Sequence, residues 1–444
     1  MNELALFAGA GGGVLGGKLL GWRTVCAVEC DAYAASVLVA RQNDGCLPPF
    51  PVWDDVCTFD GRAWRGIVDV VSGGFPCQDI SVAGKGEGIT GARSGLWGEM
   101  RRIVGEVRPR YVFVENSPAL TSRGLGTVLG DLAALGYDAE WGVLGADDAG
   151  APHRRKRIWG MMRNGECWER MMPALHTGGR GSGFWPTIRS TDGDRGGRGD
   201  LIQAVRGNEN SHFRMVPTPS ANDWKGSSKA GQRRGQITDP AMGVIQAGGQ
   251  LNPTWVELLM GWPKNWTCLD NISHVEYLQW LMENCDDEET RGREVLRVLR
   301  CGHVAEEVSR SIGRPIGIQQ AAVLLADVCQ HANRPDQARI LMACAETLES
   351  DVRGMRTPAQ AAGTSHQPGH QGQPTREHPD ALQALSRLLA HYGKAAWQDG
   401  SWENAVPRVA NKVANRVDRL RCLGNGQVPA VVRLAWETLF SRIG

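Results

Sequence analysis

No stretch of the 444 residues approaches the ~20 consecutive apolar residues that a membrane-spanning helix needs, and the opening "MNELALFAGAGGG" has no basic residue ahead of its short apolar run. Neither a membrane span nor a secretory leader is expected. Net charge is nearly absent as well. Lys and Arg number 49 against 48 Asp and Glu, a balance of +1, so whole-chain charge singles out no polyanionic partner. There is no short disulfide-dense framework either, because the twelve cysteines are irregularly spaced along a long chain. That usage fits a reducing compartment with free thiols, and a cytoplasmic location in a prokaryotic or phage-infected cell is expected.

What is present fits an ordinary soluble chain of 42% hydrophobic and 22% charged residues, large enough for one main domain with additions. Three textures divide it. From Leu4 to Met162, the runs "LALF", "TVCAVE", "PVWDDV", "IVDVVS", "YVFVEN", "AEWGVL" and "RIWGMM" alternate with helix-like segments. This is the pattern of an α/β fold with a Rossmann-like, mostly parallel sheet. From 164 to 250 the chain is rich in Gly, Arg and Asp, with ten Lys and Arg against five Asp and Glu between Arg180 and Arg234. Such a segment suits recognition of phosphate or solvated loops. From His274 onward, amphipathic helical runs such as "VEYLQWLMENC" and "IQQAAVLLADVCQHA" dominate, followed by a Gln-, Gly- and Pro-rich linker near 357–379 and a closing "LGNGQVPAVVRLAWETLF".

The chemistry-bearing residues fall at the ends of the β-type runs. A glycine cluster (Gly9, Gly11, Gly12 and Gly13) follows the first, where the backbone can turn tightly and a helix N-terminus can receive a polar ligand. Glu29 ends the second run, placed to accept hydrogen bonds from ribose hydroxyls, and Asp55 follows the third. Cys77, in "GGFPCQDIS", follows the fourth, with Pro76 before it and a long Gly-rich loop after it. A buried structural thiol is the plainer interpretation of such a cysteine. Glu115 and Asn116, ending the fifth run, set an acid on a neighbouring strand end and make a covalent mechanism plausible.

In their order along the chain, these motifs resemble those of the DNA cytosine-5 methyltransferase family. "FAGAGGG" is similar to its cofactor turn, "DDV" to its adenine-contacting acid, "FPCQ" to its nucleophile motif and "RSGLW" to the end of its mobile loop. "VENS" resembles its acid motif, "APHRRKRIW" its paired-arginine motif, "LNPTWVELLMGWP" its return element and "LGNGQVP" its C-terminal motif. The likeness covers roughly residues 1–162, 250–268 and 420–444. The implied domains are a catalytic and cofactor-binding unit at 1–163, a target-recognition region at 164–250, a return element at 251–268, a helical insertion at 269–415 and a C-terminal motif at 416–444. Three residues depart from the family pattern: Ala5 where an acid often stands, Ser117 after Glu-Asn, and His153 where Gln is common. None removes a catalytic group.

The resemblance implies catalytic roles for Cys77, Glu115, Asn116, Arg155 and Arg157. It implies S-adenosylmethionine bound by Phe7, Gly9, Ala10, Gly11, Gly12, Glu29, Cys30, Asp55, Val56, Pro76, Leu96, Asn425 and Gly426, and a flipped cytosine of double-stranded DNA bound by Gln78 and Ser81. Arg155 and Arg157, two apart on an extended segment, are expected to point the same way. A cognate restriction endonuclease stays open as a partner. A transfer-RNA cytosine-5 methyltransferase shares most of these motifs and is the main enzymatic alternative; a catalytically silent DNA-binding regulator is the alternative of another class. An amino methyltransferase lacks its Asp- or Asn-Pro-Pro-aromatic motif, and a dehydrogenase leaves Cys77 unexplained. "CGH" at Cys301–His303 and "CQH" at Cys329–His331 do not have a usual zinc spacing, and core packing, with no metal, is expected of them.

Overall fold

A computed structural model describes residues 1–76, 95–165, 219–220, 250–354, 397, 400–403 and 406–443. All seven β-type runs form strands: β1 (Asn2–Leu6), β2 (Arg23–Val28), β3 (Val52–Trp53), β4 (Val70–Gly73), β5 (Tyr111–Asn116), β6 (Tyr137–Leu144) and β7 (Arg157–Asn164). They make one sheet in the order β3-β2-β1-β4-β5-β7-β6. The pairings among β1 to β5 are parallel, whereas β7 runs antiparallel to both β5 and β6. The order reverses direction between β1 and β4, the place where open α/β sheets form a crevice beyond their carboxyl ends.

Alternating residues of the strands feed two cores. Leu4, Leu6, Val71, Val112 and Val114 pack on one face against α3 (Leu96–Val107) and α5 (Leu125–Ala134), which follows the short α4 (Leu120–Arg123). Ala5, Val70, Tyr111 and Phe113 pack on the other against α1 (Gly12–Leu19) and α2 (Ala32–Asn43). The C-terminal helix, labelled α13 below (Pro429–Ile443), lies on this second face, where Trp436 meets Trp22 edge-on at 4.6 Å and Phe113 at 5.4 Å. Edge-to-face rings of this kind fix the seat of a helix more closely than aliphatic packing alone.

The return element forms α6 (Pro253–Leu259), started by the Asn252 side chain accepting from Thr254 N at 3.1 Å. After it come α7 (His274–Asn284), α8 (Glu288–Arg300), α9 (His303–Ile312), α10 (Ile318–His331) and α11 (Pro335–Gly354), then α12 (Arg416–Asn425) ahead of α13. The described helices of the insertion share the core of the sheet's second face. Val295, Leu325 and Leu341 belong to the same buried cluster as Val14 and Leu15 of α1, and Lys18 of α1 pairs with Glu294 of α8 at 2.5 Å. No helix of the described residues is long and apolar enough to cross a membrane. The segment 166–218, most of the expected recognition region, and the linker near 357–379 lie outside the described residues.

Candidate active site

The strand order sets the chemistry-bearing residues in a row along one edge of the sheet. Asp55 lies beyond β3, Glu29 beyond β2, the glycine turn beyond β1, Pro76 beyond β4, and Glu115 and Asn116 at the end of β5. Cys77, Gln78 and Ser81 lie outside the described residues. A cavity opens at the middle of this edge, lined by Phe7, Gly9, Gly74, Glu115, Asn425 and Gln427 among others.

The turn after β1 is built for close approach. Phe7 has φ 53°, a left-handed conformation that a bulky side chain adopts only under constraint. A Cβ on Gly12 would lie 2.5 Å from Gln427 O and 2.6 Å from the Trp262 ring, so glycine there is what lets the C-terminal motif close over the turn. Two tryptophans secure that closure: Trp262 Nε1 donates to Gln427 O and Trp266 Nε1 to Ala10 O, each at 2.8 Å. Glu29 braces the turn from the next strand. Its carboxylate accepts from Gly9 N at 2.6 Å and Asp31 N at 2.7 Å, while burial pushes its pKa above the usual carboxylate value. Each oxygen retains acceptor capacity for a hydroxyl. Among the described residues nothing lies within 4 Å of where a side chain on Gly9 would begin, leaving a cradle next to an acid.

Of the remaining expected cofactor residues, Ala10 and Val56 are buried, Leu96 begins α3, and Gly426 caps α12 directly after Asn425. Cys30 is exposed beside Glu29, and Asp55 turns its carboxylate to Cys57 N at 2.9 Å. Phe75 is buried against Trp97, with Pro76 half-buried next to it.

Glu115 meets Arg157 at 2.8 Å (Oε1 to Nε), with the acid side chain 14% and the arginine 28% exposed. A Cβ on Gly74 would lie 2.7 Å from Glu115 Oε2, so the residue at the end of β4 must be small for the carboxylate to lie across it. Asn116 is buried; its Nδ2 donates to Phe75 O at 3.2 Å and its Oδ1 accepts from Ser117 N at 2.7 Å. It thus joins the end of β5 to the chain two residues before Cys77.

The expectation that Arg155 and Arg157 point the same way does not hold. Arg155 has φ 34°, off the extended segment, and strand β7 begins only at Arg157. The period-two alternation that underlies the expectation requires extended backbone through both positions. The Arg155 guanidinium is buried and donates to the carbonyls of Pro219 (3.0 Å), Gly424 (2.9 Å) and Gly426 (2.5 Å). It holds the C-terminal motif, whereas Arg157 holds the acid.

Several residues of this site escaped sequence reasoning. Glu3 is 1% exposed and lines the cavity floor, accepting from Ser72 Oγ at 2.6 Å and Thr24 Oγ1 at 2.8 Å. Burial raises its pKa even against those two donors. It shares a strand face with Ala5, two residues on, so an acid reaches this floor from one register step away; the period-two alternation of β1 was the available signal. Gln427, Trp262 and Trp266 carried no signal beyond lying in or beside the return and C-terminal motifs.

His153 also has a consequence. It is wholly buried; burial, then the Arg155 charge, lowers its pKa to about 3 against the opposing effect of a backbone hydrogen bond at Leu259. The folded chain therefore keeps the imidazole neutral, while the unfolded chain protonates it below about 6.5. Stability present above that value is lost as the pH falls towards 3. His153→Gln should lose less melting temperature than the parent between pH 7 and pH 4; equal losses in a thermal denaturation series would contradict the burial argument.

The model of the C-5 cytosine-specific DNA methylase family matches residues 1–166. Among curated relatives, the chain is 37% identical over 164 residues to the type II methyltransferase M.Eco47II of Escherichia coli, covering 35% of this chain and 37% of that one. It is 34% identical over 162 residues to the type II methyltransferase M.HaeII of Haemophilus aegyptius, covering 36% and 49%. The match thus spans less than half the length of each relative. Of solved structures, the Dnmt2 methyltransferase of S. pombe is 21% identical with a TM-score of 0.31, covering 37% of this chain and 49% of that one.

Proposed function

We propose that this chain, related over residues 1–166 to the C-5 cytosine-specific DNA methylases, is a DNA cytosine-5 methyltransferase that acts on duplex DNA through a covalent adduct. The observation that supports this reading best is the Glu115–Arg157 pair at the end of β5, on the same cavity as the glycine turn and one strand from the segment that leads into Cys77.

The residues present fit S-adenosylmethionine: an open cradle at Gly9, a left-handed Phe7, and a half-buried carboxylate at Glu29 with acceptor capacity to spare. Phe7, Gly9, Glu29 and Asn425 would hold it, with Asp55 towards the adenine end. When bound, it supplies an electrophilic methyl group. The rest falls to the chain's own side chains. C5 of cytosine is a weak nucleophile, so the Cys77 thiolate first adds to C6, forming a carbon–sulfur bond and moving an electron pair towards C5 and N3. Glu115 stabilises that charge by giving a proton or a strong hydrogen bond to N3. Arg157 positions the Glu115 carboxyl and offers its remaining guanidinium donors to the base carbonyl. Once C5 carries the methyl group, loss of its proton to solvent, departure of the Cys77 thiolate and return of the N3 proton to Glu115 restore the aromatic ring. Because C6 is hidden within a duplex, the cytosine must leave the stack. Residues 164–250 would read the surrounding sequence, and Gln78 and Ser81 would meet the flipped nucleotide.

The test is a substrate panel with labelled cofactor. Label should enter cytosine of duplex DNA, with a rate that falls steeply as salt rises. Label entering transfer RNA alone would favour the transfer-RNA methyltransferase reading, and a gel shift on DNA without any transfer would favour a silent regulator.

A further inference from the structure

The two C-x-H stretches of the insertion find different surroundings. Cys329 is buried among helices and His331 is exposed on α10, its Nδ1 turned to Asp327 O. Cys301 and His303 lie instead against the turn that ends α2: Cys301 Sγ is 3.8 Å from Gly45 O, and the His303 ring is tilted against that of His274 with centroids 4.8 Å apart.

That turn carries Asp44 and Cys46. Their carboxylate oxygen and Sγ, with a ring nitrogen of His274, all lie within 4.8 Å of one another, and all three residues are buried. Asp44 Oδ2 faces Arg41 Nε at 2.9 Å in an ion pair buried on both sides, out of line for a hydrogen bond. His274 Nε2 contacts the Asp44 carbonyl, the kind of backbone anchor that fixes the tautomer of a metal-binding imidazole. Arg297 braces the same turn from α8, donating to Gly45 O at 2.8 Å and Cys46 O at 2.6 Å.

We propose that Asp44, Cys46 and His274 form a structural site for a borderline divalent cation, zinc above all, at the seam between the cofactor-binding sheet and the helical insertion. A thiol, an imidazole and a carboxylate together suit zinc and exclude the all-oxygen shells of magnesium and calcium. His303, with 39% of its side chain exposed, has its ring centroid 4.8 Å from that of His274 and would supply the fourth ligand. Binding forms a metal–sulfur bond and releases the Cys46 thiol proton to solvent, so affinity falls as the pH falls. The ion would fasten the start of α7 to the end of α2, the helix that follows Glu29.

The experiment uses the untagged full-length chain, stripped with a chelator and reloaded with zinc or cobalt(II). One equivalent of zinc should bind, a thermal shift of several degrees should follow, and cobalt(II) should give a thiolate-to-metal charge-transfer band. Cys46→Ser should abolish the band, whereas Cys329→Ser should leave it. His303→Ala, at a half-exposed position that folding tolerates, should weaken zinc binding by about tenfold or more. A parent chain without the band, or a band that survives in Cys46→Ser, overturns the proposal. Should Cys46→Ser fail to fold, the parent cobalt spectrum and the His303→Ala affinity decide it.

Discussion

Glu115→Gln should lower single-turnover methyl transfer by about 10²–10⁴-fold, the usual contribution of a positioned general acid. The amide keeps the shape of the carboxyl, so it still lies across Gly74, where a Cβ would stand 2.7 Å from Glu115 Oε2. It can no longer pass a proton to N3, and it replaces the carboxyl that meets Arg157 at 2.8 Å. That ion pair is partly open to solvent, so its loss contributes little to folding. The melting temperature should stay close to that of the parent, and cofactor affinity should change little because the cradle at Gly9 and Glu29 lies over other strands. A rate within threefold of the parent would remove Glu115 from the role of acid.

Cys77→Ser should have the larger effect, a loss of ~10⁴-fold or more, as when a nucleophile that works with an acid is removed. A serine hydroxyl at neutral pH offers almost no alkoxide, whereas a thiol offers a fraction of thiolate and a more nucleophilic atom. Cofactor affinity, read by calorimetry, should persist, because no cofactor-holding side chain changes. Loss of affinity together with activity would point to a structural cysteine instead.

Much of this site was legible because its residues sit at strand ends. Runs such as "YVFVEN" announce a strand by their β-branched and aromatic residues, and all seven such runs are strands. Their spatial order carried no local signal. Composition cannot distinguish β7 antiparallel to β5 from a further parallel strand, since both bury the same apolar residues. Arg155 was misjudged for a related reason: spacing gives a direction only on extended backbone, and one left-handed residue cancels it. The insertion was legible as helices but not as part of the main core, because periodicity marks an apolar face without naming what covers it. Lys18 with Glu294 and Arg433 with Asn284 O join stretches far apart in the chain, and such pairings leave no mark on either stretch alone. Glu3 shows the converse: an acid absent at position 5 has a counterpart on the same strand face at position 3, visible only once register is considered.

The central claim is that Cys77 bonds to a cytosine lifted out of duplex DNA. Incubating the protein and cofactor with a duplex carrying 5-fluorocytosine at the recognised base tests it most directly, because fluorine at C5 blocks the proton loss that would release the thiol. The account predicts one protein–DNA complex that survives denaturant, requires S-adenosylmethionine, and maps by peptide mass to Cys77. Methyl transfer to ordinary duplex with no trapped complex on the fluorinated one, or a complex that persists in Cys77→Ser, would contradict it.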